Sequence, residues 1–186
     1  DFVHVGDLTH QTVEEIGERV QSGGGATGVQ TGYPDLDKLT GGFQKSDLII
    51  LAARPSMGKT ALALNIALNV GAGMRGPAFR PELRSAVGIF SLEMSSTQVN
   101  QRLLSTISSV SMQDMRTGHL TTEDLKRLVK ASAHLNDALI YVDDTPSISV
   151  AELRAKSRRL NAKLGGKLEL IMVDYLQLMR GGGRVE

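Results

Sequence analysis

The run DLIILAARPSMGKTALALNIALNV, residues 47–70, constrains this chain more than any other stretch. Leu48 to Ala53 is apolar, rich in branched residues and too short for a stable helix, so it reads as a buried β-strand. A tight segment follows, Arg54, Pro55, Ser56, Met57 and Gly58. Lys59, Thr60 and Ala61 then open a region in which Leu62, Ile66 and Val70 recur at helical spacing. Strand, Gly-Lys-Thr loop and helix, in that order, is what a phosphate-binding loop requires. The loop N–H groups and the helix N-terminus would face phosphate oxygens. Lys59 would bring a mobile positive charge to the β- and γ-phosphates, and the Thr60 hydroxyl would be a ligand for Mg²⁺. The usual pattern begins with Gly, where this chain has Ala53; alanine still permits a tight loop if its φ stays negative. Position 58, where the backbone must approach phosphate most closely, is Gly. The bland alternative is a strand–turn–helix with a solvent-facing lysine, and the flanking strand and helix patterns weigh against it.

Such a site needs carboxylates as well. Two further apolar runs end in aspartate: Ala138 to Val142 runs into Asp143 and Asp144, and Leu168 to Val173 runs into Asp174 and Tyr175. LELIMVD is the longer and more apolar run, which favours Asp174 as the residue holding the Mg²⁺ shell, often through water because Mg²⁺ dehydrates reluctantly. Asp143 and Asp144 precede Thr145-Pro146 and read as turn residues. A short strand over Ala86 to Phe90 leads to Ser91-Leu92-Glu93-Met94. A glutamate at the end of a buried strand lies at the sheet edge where α/β proteins bind ligands, placed to act as a general base on water. The competing reading is a helix-start carboxylate, because Ser95 or Ser96 opens the next helix; both remain open from these residues.

Around this frame the chain has ordinary punctuation. Residues 1–21 form a helical pattern with Leu8, Val13, Ile16 and Val20 as its stripe and Thr9 or Thr12 able to cap it. Ser22-Gly23-Gly24-Gly25 then reads as a flexible linker. The helix either folds back on its own domain or docks on a neighbouring subunit. Pro34 and Asp35 start a short helix ended by Gly41-Gly42. The stretch from Gly71 to Ser85 reads as a surface loop or small excursion. Thr121-x-x-Asp124 and Ser149-x-x-Glu152 look like capping boxes. Arg154, Lys156, Arg158, Arg159 and Lys163 spread around one helix and read as a solvated face rather than a nucleic-acid patch.

Composition narrows the classes. The 186 residues suffice for one domain with a core, and 41% hydrophobic with 22% charged residues is a soluble globular balance. A net charge of +1 gives no global attraction to nucleic acid, so any such binding must be local. Absence of cysteine excludes disulfides and thiolate metal sites. No apolar run approaches the ~20 residues of a membrane span, and the N-terminus is not a signal peptide. Aromatics at 4% leave little for a stacking platform for bases.

With these residues in hand, the chain resembles the RecA-like C-terminal motor domain of bacterial replicative DNA helicases, the DnaB family. TGYPDLDKLTGGFQKSDLIILAARPSMGKTALALNIALNV, IFSLEMS, MRTGHL, VDDTPSI, RAKSRRL and IMVDYLQLM all look like segments of that family, in its order. Ala53 also matches it. RecA-like recombinases and clock-type ATPases share the loop logic, but SLEMS with DYLQLM is more specific to the helicases.

The resemblance implies an α/β, RecA-like phosphate-loop core with a mainly parallel sheet over residues 28–186, preceded by a linker helix (1–21) and a Gly-rich linker (22–27). It implies that Lys59 and Thr60 bind phosphate and Mg²⁺, that Glu93 activates the attacking water, and that Asp174 holds the Mg²⁺ shell. Gln177 would sense the γ-phosphate, and Arg102 would contact the bound ATP. Arg180 and Arg184 would begin the first DNA-binding loop. The helix at 9–20 would pack on the adjacent protomer of a homohexamer. Single-stranded DNA, a primase and a helicase loader are the implied partners, at the replication fork in the cytoplasm. Two departures stand out: the Gly71–Ser85 stretch is long for the family, and the sequence ends at Arg180-Gly-Gly-Gly-Arg184-Val-Glu186, where that loop should begin. The strand that the family would place between Leu48–Ala53 and Leu168–Val173, the arginine finger and the family's N-terminal domain are not in these residues. The 186-residue chain alone is therefore expected to bind ATP and hydrolyse it slowly. Two other classes stay open: another RecA-like ATPase, recombinase or clock-type, and a non-catalytic, nucleotide-dependent assembly module.

Overall fold

Local signals set most of the helices. The computed structural model describes residues 2–21, 27–75 and 78–180, in two compact units, Asp1–Ser46 and Asp47–Glu186. In the first unit, α1 (Val5–Gln21) begins upstream of the expected threonine cap. His4 meets the first N–H groups instead: its Nδ1 accepts from Gly6 and its carbonyl from Asp7. The hydroxyls of Thr9 and Thr12, now inside the helix, donate to the carbonyls of Val5 and Leu8 one turn back. The apolar stripe Val5, Leu8, Val13, Ile16 and Val20 is exposed. The proposed linker at 22–25 lies outside the described residues. Further on, Asp37 accepts from the Thr31 N–H and hydroxyl, both at 2.7 Å, and from the Gly32 N–H. This carboxylate fixes the turn that feeds α2 (Pro34–Thr40), which ends at Gly41 in the left-handed conformation.

The second unit follows in order: α3 (Lys59–Ala72), a two-stranded antiparallel pair β1 (Met74–Arg75) and β2 (Ala78–Phe79), β3 (Ala86–Ser91), α4 (Ser96–Ser108), α5 (Met112–Thr117), α6 (Thr122–Asn136), β4 (Ile140–Asp143), α7 (Val150–Lys163) and β5 (Leu168–Asp174). β3 is the central strand of a parallel sheet ordered β4-β3-β5, and it is buried along its whole length. α3 packs against all three strands, and α7 packs against β3 and β5. The expected capping boxes form at Thr121/Asp124 and Ser149/Glu152, and a third forms at Ser95/Gln98.

The core lies between α3 and the sheet, around Leu68, Val70, Val87 and Ile89. A smaller cluster of Phe90, Leu92 and Ile148 packs with Leu153, Val173 and Met179. Leu68 is 1% exposed. Leu68→Ala is expected to destabilise the fold by about 2–5 kcal/mol through lost burial and the cavity left behind. Chemical denaturation checks this, and a shift below about 1 kcal/mol would contradict the placement of the core.

Leu48 to Ala53 is not a buried strand: the segment has no regular secondary structure and no sheet pairing, and Leu48 is 83% and Ile50 69% exposed. A buried strand needs hydrogen-bonded neighbours, and no described residue supplies one to this segment. The far edge of β5 is likewise unpaired among the described residues, with Ile171 exposed. The Gly71–Ser85 stretch also starts later than expected. α3 continues to Ala72, and a Cβ at Gly71 would lie 2.3 Å from Ile140 Cγ1, so glycine lets the helix end press against β4. Of the described remainder, Phe79 and Arg84 rest against the end of α6. Phe79 stacks on His134 with ring centroids 3.6 Å apart, and Arg84 donates to the Asp137 carbonyl.

Candidate nucleotide site

The loop from Arg54 to Gly58 is exposed and curled. The Met57 N–H turns back to the Arg54 carbonyl, Ser56 has φ 63° and Gly58 has φ 86°. Alternation of this kind turns successive N–H groups into one concavity, the geometry that receives phosphate oxygens. Gly58 is the N-cap of α3, and its left-handed backbone is the physical reason for glycine there, since a Cβ would meet no atom of the protein within 4 Å. Pro55 lies in the turn, Ala53 keeps a negative φ, and Ala61 is exposed in the first turn of α3.

Across the sheet edge, the Thr60 hydroxyl donates to Asp174 Oδ2 at 2.8 Å. Lys59 Nζ stands 3.7 Å from Asp174 Oδ1 and 4.6 Å from the centroid of the Tyr175 ring. Asp174 is 9% exposed, so its charge needs partners, and the loop residues supply them. The structure thus joins Lys59, Thr60 and Asp174. Asp143 is engaged elsewhere, with Lys156 Nζ at 2.6 Å and the Thr145 N–H at 3.0 Å. Burial pushes the Asp143 carboxyl up, but the hydrogen bonds from Lys156 and Thr145 outweigh it and hold the group below the ordinary carboxylate range.

Glu93 is exposed two residues past Ser91, whose register partner on β5 is Asp174. The Leu92 N–H donates to the Asp174 carbonyl at 2.7 Å, so the glutamate-bearing loop leaves the same sheet edge as the aspartate. Gln177 is exposed in the 3-10 turn Leu176–Leu178 that follows β5. Arg102 is exposed on α4, with no hydrogen bond or ion pair tying it to the loop among the described residues. The Arg180 N–H donates to the Ile148 carbonyl, and Arg184 lies outside the described residues. Sequence reasoning missed Tyr175 beneath Lys59; its only signal was adjacency to Asp174.

The donor set fits a hard divalent cation. A threonine hydroxyl and an aspartate carboxylate in contact are oxygen ligands of the kind Mg²⁺ takes one or two at a time, completing its shell with water and phosphate oxygens. Among the described residues no cluster of three or more His, Cys, Asp or Glu offers an all-protein cage.

A curled Gly-Lys-Thr loop opening a helix, bonded to an aspartate at the carboxyl end of a parallel strand, defines a phosphate-loop domain of the RecA-like kind. The chain belongs to the DnaB-like helicase C terminal domain family, whose model matches residues 28–186. It is 47% identical over 183 residues to the replicative DNA helicase DnaB of Geobacillus stearothermophilus and 45% identical to the replicative DNA helicase DnaC of Bacillus subtilis, in each case over 98% of this chain. It spans 38% of the length of each of these relatives. Its fold matches a solved ATPase domain with a TM-score of 0.85 at 30% identity, covering all of this chain and 62% of that one. A DnaB-like replicative helicase, solved together with its interactions with primase, matches with a TM-score of 0.84 at 30% identity over all of this chain and 42% of that one. These relatives favour the helicase reading over a recombinase, a clock-type ATPase or a non-catalytic module. No helix among the described residues is long and apolar enough to cross a membrane.

Proposed function

We propose that this chain is the front part of the ATP-hydrolysing motor of a replicative DNA helicase, and that the intact protein translocates on single-stranded DNA and separates the duplex at the replication fork. The 2.8 Å bond between Thr60 and Asp174 carries the reading, because it brings the phosphate loop and the strand-end aspartate together at one edge of the sheet. In this proposal the loop N–H groups of 54–61 and Lys59 hold the phosphates of ATP, while Thr60 and Asp174 hold Mg²⁺. Bound there, Mg²⁺ would neutralise charge on the phosphate oxygens. Glu93 orients a water and accepts its proton as the water oxygen bonds to the γ-phosphorus and the bond to the ADP oxygen breaks. Gln177, one short turn beyond Asp174, senses the γ-phosphate, and Arg102 contacts the nucleotide. Little covalent work falls to the protein, so positioning and charge supply the acceleration.

The same proposal assigns the exposed stripe of α1 to a neighbouring subunit of a homohexameric ring, and Arg180 and Arg184 to the start of a DNA-contacting loop. Primase and a helicase loader are partners of the intact protein, which acts at the cytoplasmic nucleoid. The exposed run Leu48–Leu51 and the open edge of β5 are assigned to a further strand of the longer protein, which pairs with both. With an arginine finger from a neighbour worth roughly 10³–10⁵ in rate in related nucleotide hydrolases, the 186-residue chain alone is expected to bind ATP and turn it over near the background rate. Equilibrium nucleotide binding and steady-state phosphate release from the mass-verified chain test this. Brisk turnover, stimulated by single-stranded DNA, would contradict the assignment of the missing parts.

A further inference from the structure

Glu93 is exposed and lies in a short loop, yet a general base must hold its geometry closely. What fixes that loop is therefore part of the chemistry. Its first end is anchored just past β3: Leu92 is buried against Phe90 and Ile148, and its N–H donates to the Asp174 carbonyl. Within the loop, the Ser91 hydroxyl donates to the Met94 carbonyl at 2.7 Å and draws the segment into a tight turn around Glu93. The far end is the N-terminus of α4. Its capping box satisfies the Gln98 N–H through Ser95 Oγ and leaves the Ser96 N–H to another acceptor. That acceptor is Asp144, whose Oδ2 receives the Ser96 N–H at 2.7 Å across 48 residues of sequence.

Asp144 is itself held from two sides. Asp143 pairs with Phe90 in the sheet, so Asp144 leaves β4 one residue beyond that register point. Asp143 is pinned by Lys156 on α7, and Ile148, four residues past Asp144, is buried in the cluster with Leu92. The hydrogen bonds from Ser96 hold the Asp144 carboxyl below its ordinary range, so it is ionised at neutral pH. Both groups are exposed, so the value of this tie is its direction: a charged acceptor at a helix N-terminus fixes where the first turn points.

We propose that Asp144 is a positioning residue for Glu93: by holding the Ser96 N–H it locks the far end of the loop and aims the glutamate at the attacking water. This rests on the assignment of Glu93 as the base. It gives a role to the second aspartate of the Asp143-Asp144 pair, which the sequence presents only as a turn.

The bond is removable from either side in the full-length protein. Asp144→Ala deletes the acceptor. Ser96→Pro deletes the donor at the first helical position, where proline is best tolerated, and Ser95 already has the extended backbone that proline demands of its predecessor. Each variant is expected to lower the kcat for ATP hydrolysis by about 10- to 100-fold, with KM within about twofold of wild type. Asp144→Asn keeps an oxygen for the Ser96 N–H and is expected to retain most of the rate. Combining Asp144→Ala with Ser96→Pro, or with Glu93→Ala, is expected to add no more than about a further twofold, since all act on one event. A kcat within about threefold of wild type for both single variants, alongside an inactive Glu93→Ala, would overturn the positioning role alone. Losses that multiply in the double variants would overturn it too, since they would mark independent damage. If Glu93→Ala itself retains the wild-type rate, the assignment of the base fails, and this proposal fails with it.

Discussion

Lys59→Ala in the full-length protein is expected to lower kcat/KM for ATP by at least about 10²–10³-fold, or roughly 3–4 kcal/mol of transition-state stabilisation. Lys59 is the first residue of α3, its ammonium stands at the edge of the phosphate loop, and it is 3.7 Å from Asp174. No other ammonium or guanidinium is brought to Asp174 by the described ion pairs, so nothing nearby replaces the lost charge. The change should also weaken nucleotide binding, because the lysine contacts bound phosphates before as well as during the reaction. Lys59→Arg keeps the charge but changes its shape and reach, and is expected to restore little. Isothermal titration with a non-hydrolysable ATP analogue, beside steady-state phosphate release, separates the two effects. A Lys59→Ala protein with wild-type kcat/KM would show that the loop is not the working phosphate site.

Glu93→Ala is expected to behave differently: nucleotide affinity near wild type, with kcat reduced about 10²–10⁴-fold, the range for removing a general base. Glu93 leaves the sheet beside Asp174 but belongs to neither the loop nor α3, so its removal spares the phosphate cradle. Glu93→Gln tests the proton specifically, since it keeps size and hydrogen bonding and loses basicity. Equal loss of binding in the Lys59 and Glu93 variants would contradict the separation of roles.

How much of this was legible depends on the distance over which each feature is determined. α3 could be read because its apolar spacing and its Gly58 start are local, and the helix is found at Lys59–Ala72. The capping boxes at Thr121 and Ser149 need only four residues each, and both form. β3 and β5 were readable as apolar runs of strand length. Leu48 to Ala53 carries the same pattern and yet pairs with nothing described, because pairing is a property of two segments and the pattern reports only one. The threonine caps expected for α1 failed for a similar reason: both threonines have a helical carbonyl within reach, and His4 sits where the chain begins to turn.

The site shows the same division. Lys59 and Thr60 stand out by their motif, but their partner Asp174 lies 114 residues beyond Thr60, and only the order of the sheet brings the two together. The bond from Ser96 to Asp144 joins the start of α4 to the end of β4, 48 residues away, and the Lys59–Tyr175 contact depends on how the chain leaves β5. Neither has a sequence signature. Arg102 and Gln177 have no local motif and stand out only by family resemblance; Arg102 is exposed on α4 and Gln177 in the turn after β5.

A motor reading stands or falls on strand separation by the full-length protein on a forked DNA duplex, followed with and without ATP and Mg²⁺, with the Lys59→Ala protein as the blank. The expected result is unwinding that requires ATP, is accompanied by ATP hydrolysis stimulated by single-stranded DNA, and is absent from the blank. Wild-type protein that hydrolyses ATP but leaves the fork paired, or a blank that unwinds as well as wild type, would contradict it.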